Sequence, residues 1–161
     1  MVELTKQTIS VEHVTITSNK SFEDTKSALE HSLAWLDDRV LKLLHSGEAK
    51  QALEVLESGP DLFIFSFRDH GEALQLQGLK GKAIQYDIGN PLTASKMTRH
   101  RLSAGLYAPL RVYLRESPEG EVAFEYDRPV NLFGQFRNPD VDVVAKELDA
   151  LLEKALRKAA A

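Results

Sequence analysis

The chain predicts an α+β fold: a mostly antiparallel sheet of about five strands, packed by helices on one side. Three observations carry this. Leu110, Val112 and Leu114 alternate with Arg111, Tyr113 and Arg115, and a turn then leads to Val122, Phe124 and Tyr126, the pattern of a half-buried hairpin. Asn138-Pro139 opens a long helical stripe of Val141, Val144, Leu148, Leu151, Leu152 and Ala155. The elements between run strand, helices, two strands, short helix, two strands, helix, which suits a sheet with a helical layer on one face.

Taken in order, residues 1–9 read as a frayed end or a short edge strand, and Val11 to Thr17 as the first strand, with Val14 and Ile16 on one face. Ser21 caps a helix whose first turn holds Glu23 and Asp24, acids suited to the positive helix end. Its stripe of Phe22, Leu29, Leu33 and Leu36 continues through Val40 and Leu44 past Asp37-Asp38. One long helix and two nearly collinear ones fit that stripe equally. Gly47 stops it, and a further helix over about 48–57 turns Ala49, Ala52, Leu53 and Leu56 inward. Leu62 to Phe67 is apolar on both faces, the pattern of a central, covered strand. Residues 69–81 read as a loop with room for a short strand.

In the strand over 83–88, Ile84, Tyr86 and Ile88 oppose Ala83, Gln85 and Asp87. After Gly89, Asn90 takes the N-cap and Pro91 the first helical position, where its missing N–H costs nothing. The helix is expected to run to about Leu102, with Ala94 and Met97 on one stripe and Leu92, Lys96 and Arg99 opposite. Pro109 opens the next strand. A three-residue turn, Pro118-Glu119-Gly120, sorts the hairpin's faces by setting Leu114 against Phe124, Val112 against Tyr126 and Arg111 against Asp127. Asp127-Arg128-Pro129 ends that strand, and a loop carrying Phe133 and Phe136 leads to the last helix.

Composition narrows the chemistry. With 161 residues, a single domain spans the chain, 37–81 being an elaborated flank. There are no cysteines, which removes disulfides, thiolate nucleophiles and thiolate metal sites together. No apolar run approaches a membrane span, and the first residues lack a signal-peptide core, so a cytoplasmic location without membrane association is expected. Net charge is −4, which argues against nucleic acid as a partner. Between Lys80 and Arg115, however, seven cationic residues face one acid, Asp87, and that segment offers either a solvated surface or an anion-attracting face.

Candidate sites follow from this distribution. The five histidines (His13, His31, His45, His70 and His100) show no HxxxH or HExxH spacing, so no metal and no cofactor are expected. Met97 and His100, at i and i+3, are weighed as haem ligands, but Met97 lies on the Ala94 stripe and reads as a core filler. No GxSxG, P-loop or GxGxxG pattern is present. The anion-binding candidates are Asn90, Lys96 and Arg99 around the short helix, and Arg111, Tyr113 and Asp127 on the hairpin. The expected function is a non-enzymatic module for a small anionic or amphipathic ligand. The competing classes are a cofactor-independent enzyme using Asp87 and Arg111, and a nucleic-acid-binding module in which Tyr107 and Tyr113 interleave with arginines.

The strand ending in Asn90-Pro91, Ala94 three residues on, Gly105, the run Pro109-Leu110-Arg111-Val112, Gly120 and the strand closing near Pro129 together resemble the family catalogued as domain of unknown function 302. The likeness covers roughly residues 11–156. It implies a single copy of the TATA-box-binding-protein-like fold, strand–helix–four strands–helix, and a homodimer. It carries no established activity, and the segment 37–81 exceeds what its shorter members have.

Overall fold

The computed structural model describes residues 1–161, and its centre is the hairpin that alternation predicts. Leu110–Glu116 (β5) pairs with Val122–Asp127 (β6), with Leu114 against Phe124 and Val112 against Tyr126, as expected. Ser117 N–H donates to Glu121 O at the mouth of the turn, and Gly120 has φ 88°, a conformation that glycine adopts without steric penalty. Around the hairpin, the strands His13–Thr17 (β1), Ala34–Trp35 (β2), Phe63–Asp69 (β3) and Ala83–Gly89 (β4) complete a sheet of order β1-β6-β5-β4-β3-β2. All neighbours are antiparallel except β2 and β3.

The helices are Phe22–Ser32 (α1), Asp38–His45 (α2), Ala49–Glu57 (α3), His70–Ala73 (α4), Pro91–Thr98 (α5), Pro129–Gly134 (α6) and Pro139–Ala160 (α7). The caps fall where short polar side chains stand at the expected positions. Ser21 accepts from Asp24 N–H, Asn90 from Leu92 N–H, and Asn138 from Asp140 and Val141 N–H. The main core lies between one sheet face and the helices α1 and α7. Ile84, Tyr86, Ile88, Val112, Leu114 and Phe124 meet Phe22 and Leu29 of α1 and Val141, Leu148, Leu152 and Leu156 of α7.

Five local expectations change. The stripe through Leu33 and Leu36 is neither one helix nor two collinear ones. Leu33 is already extended, β2 pairs with β3, Leu36 N–H donates to Ile64 O, and Asp37 caps a new helix by accepting from Arg39 N–H. The stretch around Leu62–Phe67 is covered only at its start. A bulge between Ile64 and Ser66 shifts the register, and Phe67 beyond β2 is 50% exposed, in edge contact with Trp35 at 6.1 Å. Residues 69–81 hold α4 and a 3-10 turn over Leu74–Gln77, because Asp69 accepts from Glu72 N–H and starts a helix. The short helix ends at Thr98, with a separate 3-10 segment at Leu102–Tyr107. Finally, Phe133 stands on α6, opened by Pro129, and is fully buried.

Helices also reach beyond one side. The α2–α3 pair builds a small second core of Val40, Ala52 and Leu56 on Phe63, whose neighbour Ile64 faces the main core.

Two buried phenols tie this core to pH. Burial pushes Tyr126 up to about 12, with Glu153 and Asp149 adding to the rise. Burial and the hydrogen bond that Tyr86 donates to Glu30 at 2.8 Å raise Tyr86 well above its ordinary range. Unfolded tyrosines ionise near pH ~10, so what these phenols contribute is fully present below that and is lost as pH rises from there through their raised folded-state values. Tyr86 and Tyr126 are expected to ionise only with unfolding. A spectrophotometric titration in which all four tyrosines ionise reversibly in the folded chain would contradict this.

Candidate functional site

The face of the sheet turned away from α1 and α7 is polar because every second residue of β4, β5 and β6 points there. Its charges are joined in pairs across the strands. Arg115 Nε donates to Glu125 at 2.7 Å and its Nη1 to Glu121 at 3.0 Å. On β1, His13 lies with Nδ1 3.1 Å from Asp127 and Nε2 3.3 Å from Glu125. Asp87 accepts from Arg68 Nη1 and from Ser66 Oγ, both at 2.7 Å.

Arg111 is the exception. Its backbone pairs with Asp87 on β4, and on β6 it lies one step beyond the pairing of Val112 with Tyr126, toward Asp127. It thus stands between two carboxylates that are each held by another partner. Alone among the strand arginines, Arg111 has no carboxylate within 4.0 Å. It forms part of the lining of a cleft of about 290 Å³, with Arg68, Asp87 and Asp127 as its other charged residues and Leu106, Pro109 and Leu132 as apolar ones. Leu106 comes from the 3-10 segment after α5 and Leu132 from α6.

The structure brings together two of the six candidate residues, Arg111 and Asp127. Tyr113 lies further along β5 against the His70 ring, at 5.7 Å between centroids, and burial followed by Glu125 and Asp69 raises its phenol. Asn90 is turned inward. Its Oδ1 accepts from Leu92 N–H, and its Nδ2 donates to the carbonyls of Pro60 at 3.3 Å and Asp61 at 3.2 Å. It lines a separate, mainly apolar cavity of about 80 Å³ with Met97 and Pro109. Lys96 on α5 and Arg99, which caps its C-terminus, are exposed and border neither space. Asp87 and Arg111, the pair for an enzyme, share the cleft, but the Asp87 ion pair goes to Arg68. Reasoning from the sequence missed Arg68, Leu106, Leu132 and His13. Arg68 carried a signal, a polar residue closing an apolar strand; its pairing with Asp87 depends on the bulge in β3.

A larger space of about 630 Å³ lies between the start of α1 and α4. Glu23, Glu72 and Asp69 oppose Lys26, Lys80 and Lys82 there, and Lys82 is 3.6 Å from Glu116, so no one sign of ligand is selected. No three His, Asp or Glu side chains are grouped to hold a metal ion. No helix is long and apolar enough to cross a membrane.

Sheet, helical layer and open polar face define an α+β domain. The chain belongs to the family described as Domain of unknown function DUF302, whose model matches residues 44–159. Among solved structures it is similar to the uncharacterized conserved protein DUF302 from Bacillus stearothermophilus, with 17% identity and a TM-score of 0.67. That similarity covers 91% of this chain and 97% of the other, and it bears on fold. No curated protein matches the chain.

Proposed function

We propose that the chain is a non-enzymatic binding module whose open-face cleft takes a small anion, a carboxylate or phosphate, carrying an apolar group. The observation that carries this is the unpaired Arg111 guanidinium on a regular strand, in a cleft where the neighbouring acids are occupied. A planar fork of donors suits an oxyanion, and charge-assisted hydrogen bonds are roughly twice as strong as neutral ones. Leu106, Pro109 and Leu132 give an apolar portion of the ligand a surface. The enzyme alternative has less support, because a base at Asp87 would first have to leave both Arg68 and Ser66.

Benzoate, an aromatic carboxylate, is a suitable probe. Arg111→Ala is expected to weaken its binding by about tenfold or more, the scale of one charge-assisted hydrogen bond. Thermal stability should stay within ~0.5 kcal/mol, as for an exposed substitution. Equal benzoate affinity in the variant and the parent would overturn the proposal.

A further inference from the structure

We infer that His13 gates this cleft: protonated, it holds the Asp127 carboxylate away from Arg111, and neutral, it releases Asp127 to pair with Arg111 in place of the anion. The inference rests on the anion-binding reading above and adds its regulation.

The geometry sets the protonation state. Both ring nitrogens of His13 face carboxylates, Asp127 at 3.1 Å and Glu125 at 3.3 Å. An ionised carboxylate only accepts, so both nitrogens must donate, and the bridging ring is an imidazolium. The hydrogen bond to Asp127 is the main cause that raises the His13 pKa above 6.5; burial lowers it, and Glu125 adds to the rise.

The two carboxylates respond differently when the proton leaves. Glu125 keeps a cation, because Arg115 Nε donates to it at 2.7 Å. Asp127 has no second side-chain partner. Register sets it across from His13 on β1 and toward Arg111 on β5. Of the two arginines that share the cleft with it, Arg68 is held by Asp87 at 2.7 Å, which leaves Arg111. The other nearby charges are committed: Glu12, beside His13, is held by Arg128 at 2.8 Å, and Arg115 also holds Glu121. β1 is the edge of the sheet, so no strand packs on its far side.

The sign follows. The charged state is favoured by the fold, so the open cleft is fully populated below the ordinary histidine value of ~6.5 and is lost as pH rises through the raised one. By linkage, an anion on Arg111 in turn favours protonated His13.

Benzoate stays ionised across this range, so its affinity for the full chain, measured at pH ~6 and ~8.5 on either side of the histidine transition, tests the gate. The dissociation constant is expected to rise by about tenfold in the parent, the size of a modest coupling between sites. Asp127→Asn, which cannot form the competing ion pair, should bind tightly at both pH values, and His13→Gln weakly at both. A parent without pH dependence, or an Asp127→Asn variant that keeps it, overturns the gate; Arg111-dependent binding would then still support the binding reading.

If no Arg111-dependent benzoate binding occurs at any pH, the binding reading fails, and the gate is read without ligand from the NMR titration of the His13 ring. Arg111→Gln should raise the His13 midpoint, and the same change in an Asp127→Asn background should be silent. Equal shifts in both backgrounds, or none in either, would show that Arg111 does not compete for Asp127 and would overturn the gate.

Discussion

Phe124→Ala is expected to cost ~4 kcal/mol, within the usual range for truncating a fully buried phenylalanine. For a domain of this size, that corresponds to a fall in melting temperature of roughly 8–16 °C. Phe124 is fully buried in β6, paired with Leu114 on one side and Ile16 on the other. A strand hydrogen-bonded on both edges cannot move to fill the void, so most of the cavity would persist and add to the lost transfer energy. Phe124→Leu, which keeps part of the volume, should cost less. Thermal or urea unfolding measures both, and a loss below ~1 kcal/mol for the alanine variant would mean that the core collapses into the space.

Arg128→Met is expected to cost ~3 kcal/mol for a different reason, because it strands a charge. Arg128 follows β6 and reaches α7, where Nη2 donates to Asp149 Oδ2 at 2.8 Å and Nε to Oδ1 at 3.3 Å. Its Nη1 donates to Glu12, and its backbone N–H to Glu12 O, so one residue ties the N-terminal segment, the sheet and the last helix together. Asp149 is only 6% exposed, and without Arg128 its carboxylate would have no cation inside the fold. The hydrogen bonds that the guanidinium donates to Asp149 and Glu12, with the charge of Asp149, hold it well above its ordinary range.

A double-mutant cycle separates the attraction of the pair from the cost of an orphaned carboxylate. Arg128→Met combined with Asp149→Leu should recover most of the loss, since replacing both partners by apolar groups removes the unpaired charge. Asp149→Leu alone should cost less than Arg128→Met, because Arg128 is part-exposed and keeps Glu12. If Arg128→Met cost less than ~1 kcal/mol, the pair would be behaving as a solvated surface bridge.

These two variants perturb the core layer, whereas Arg111→Ala touches only the open face. Stability and ligand retention should therefore separate. The residues whose loss is expected to cost most stability lie between sheet and helices, and those expected to set affinity lie on the other side of the same strands.

How much of this was legible beforehand depended on the range of the interactions concerned. The β5–β6 register followed from sequence because the turn is three residues long and only one pairing sorts apolar from polar side chains. The caps at Ser21, Asn90 and Asn138 followed because a side chain two or three residues away satisfies the helix N–H groups. The same local logic at Asp69 and Glu72 would have revealed α4, and Arg128-Pro129 would have suggested α6.

Other features had no local cause. The break between α1 and α2 arises because Ala34–Trp35 finds a strand partner in Phe63–Ile64, about thirty residues further on. Local periodicity cannot weigh that pairing against another turn of helix. The candidate site divides in the same way. Its residue types and the alternation that puts Arg111 on the polar face were present in the sequence. Which charges cancel was decided only by the tertiary structure, through the β3 bulge that brings Arg68 to Asp87 and the pairing of β1 with β6 that brings His13 to Asp127. Ion pairs form between neighbours in space, and across a sheet those neighbours come from strands whose order and register are set by the burial of the opposite face.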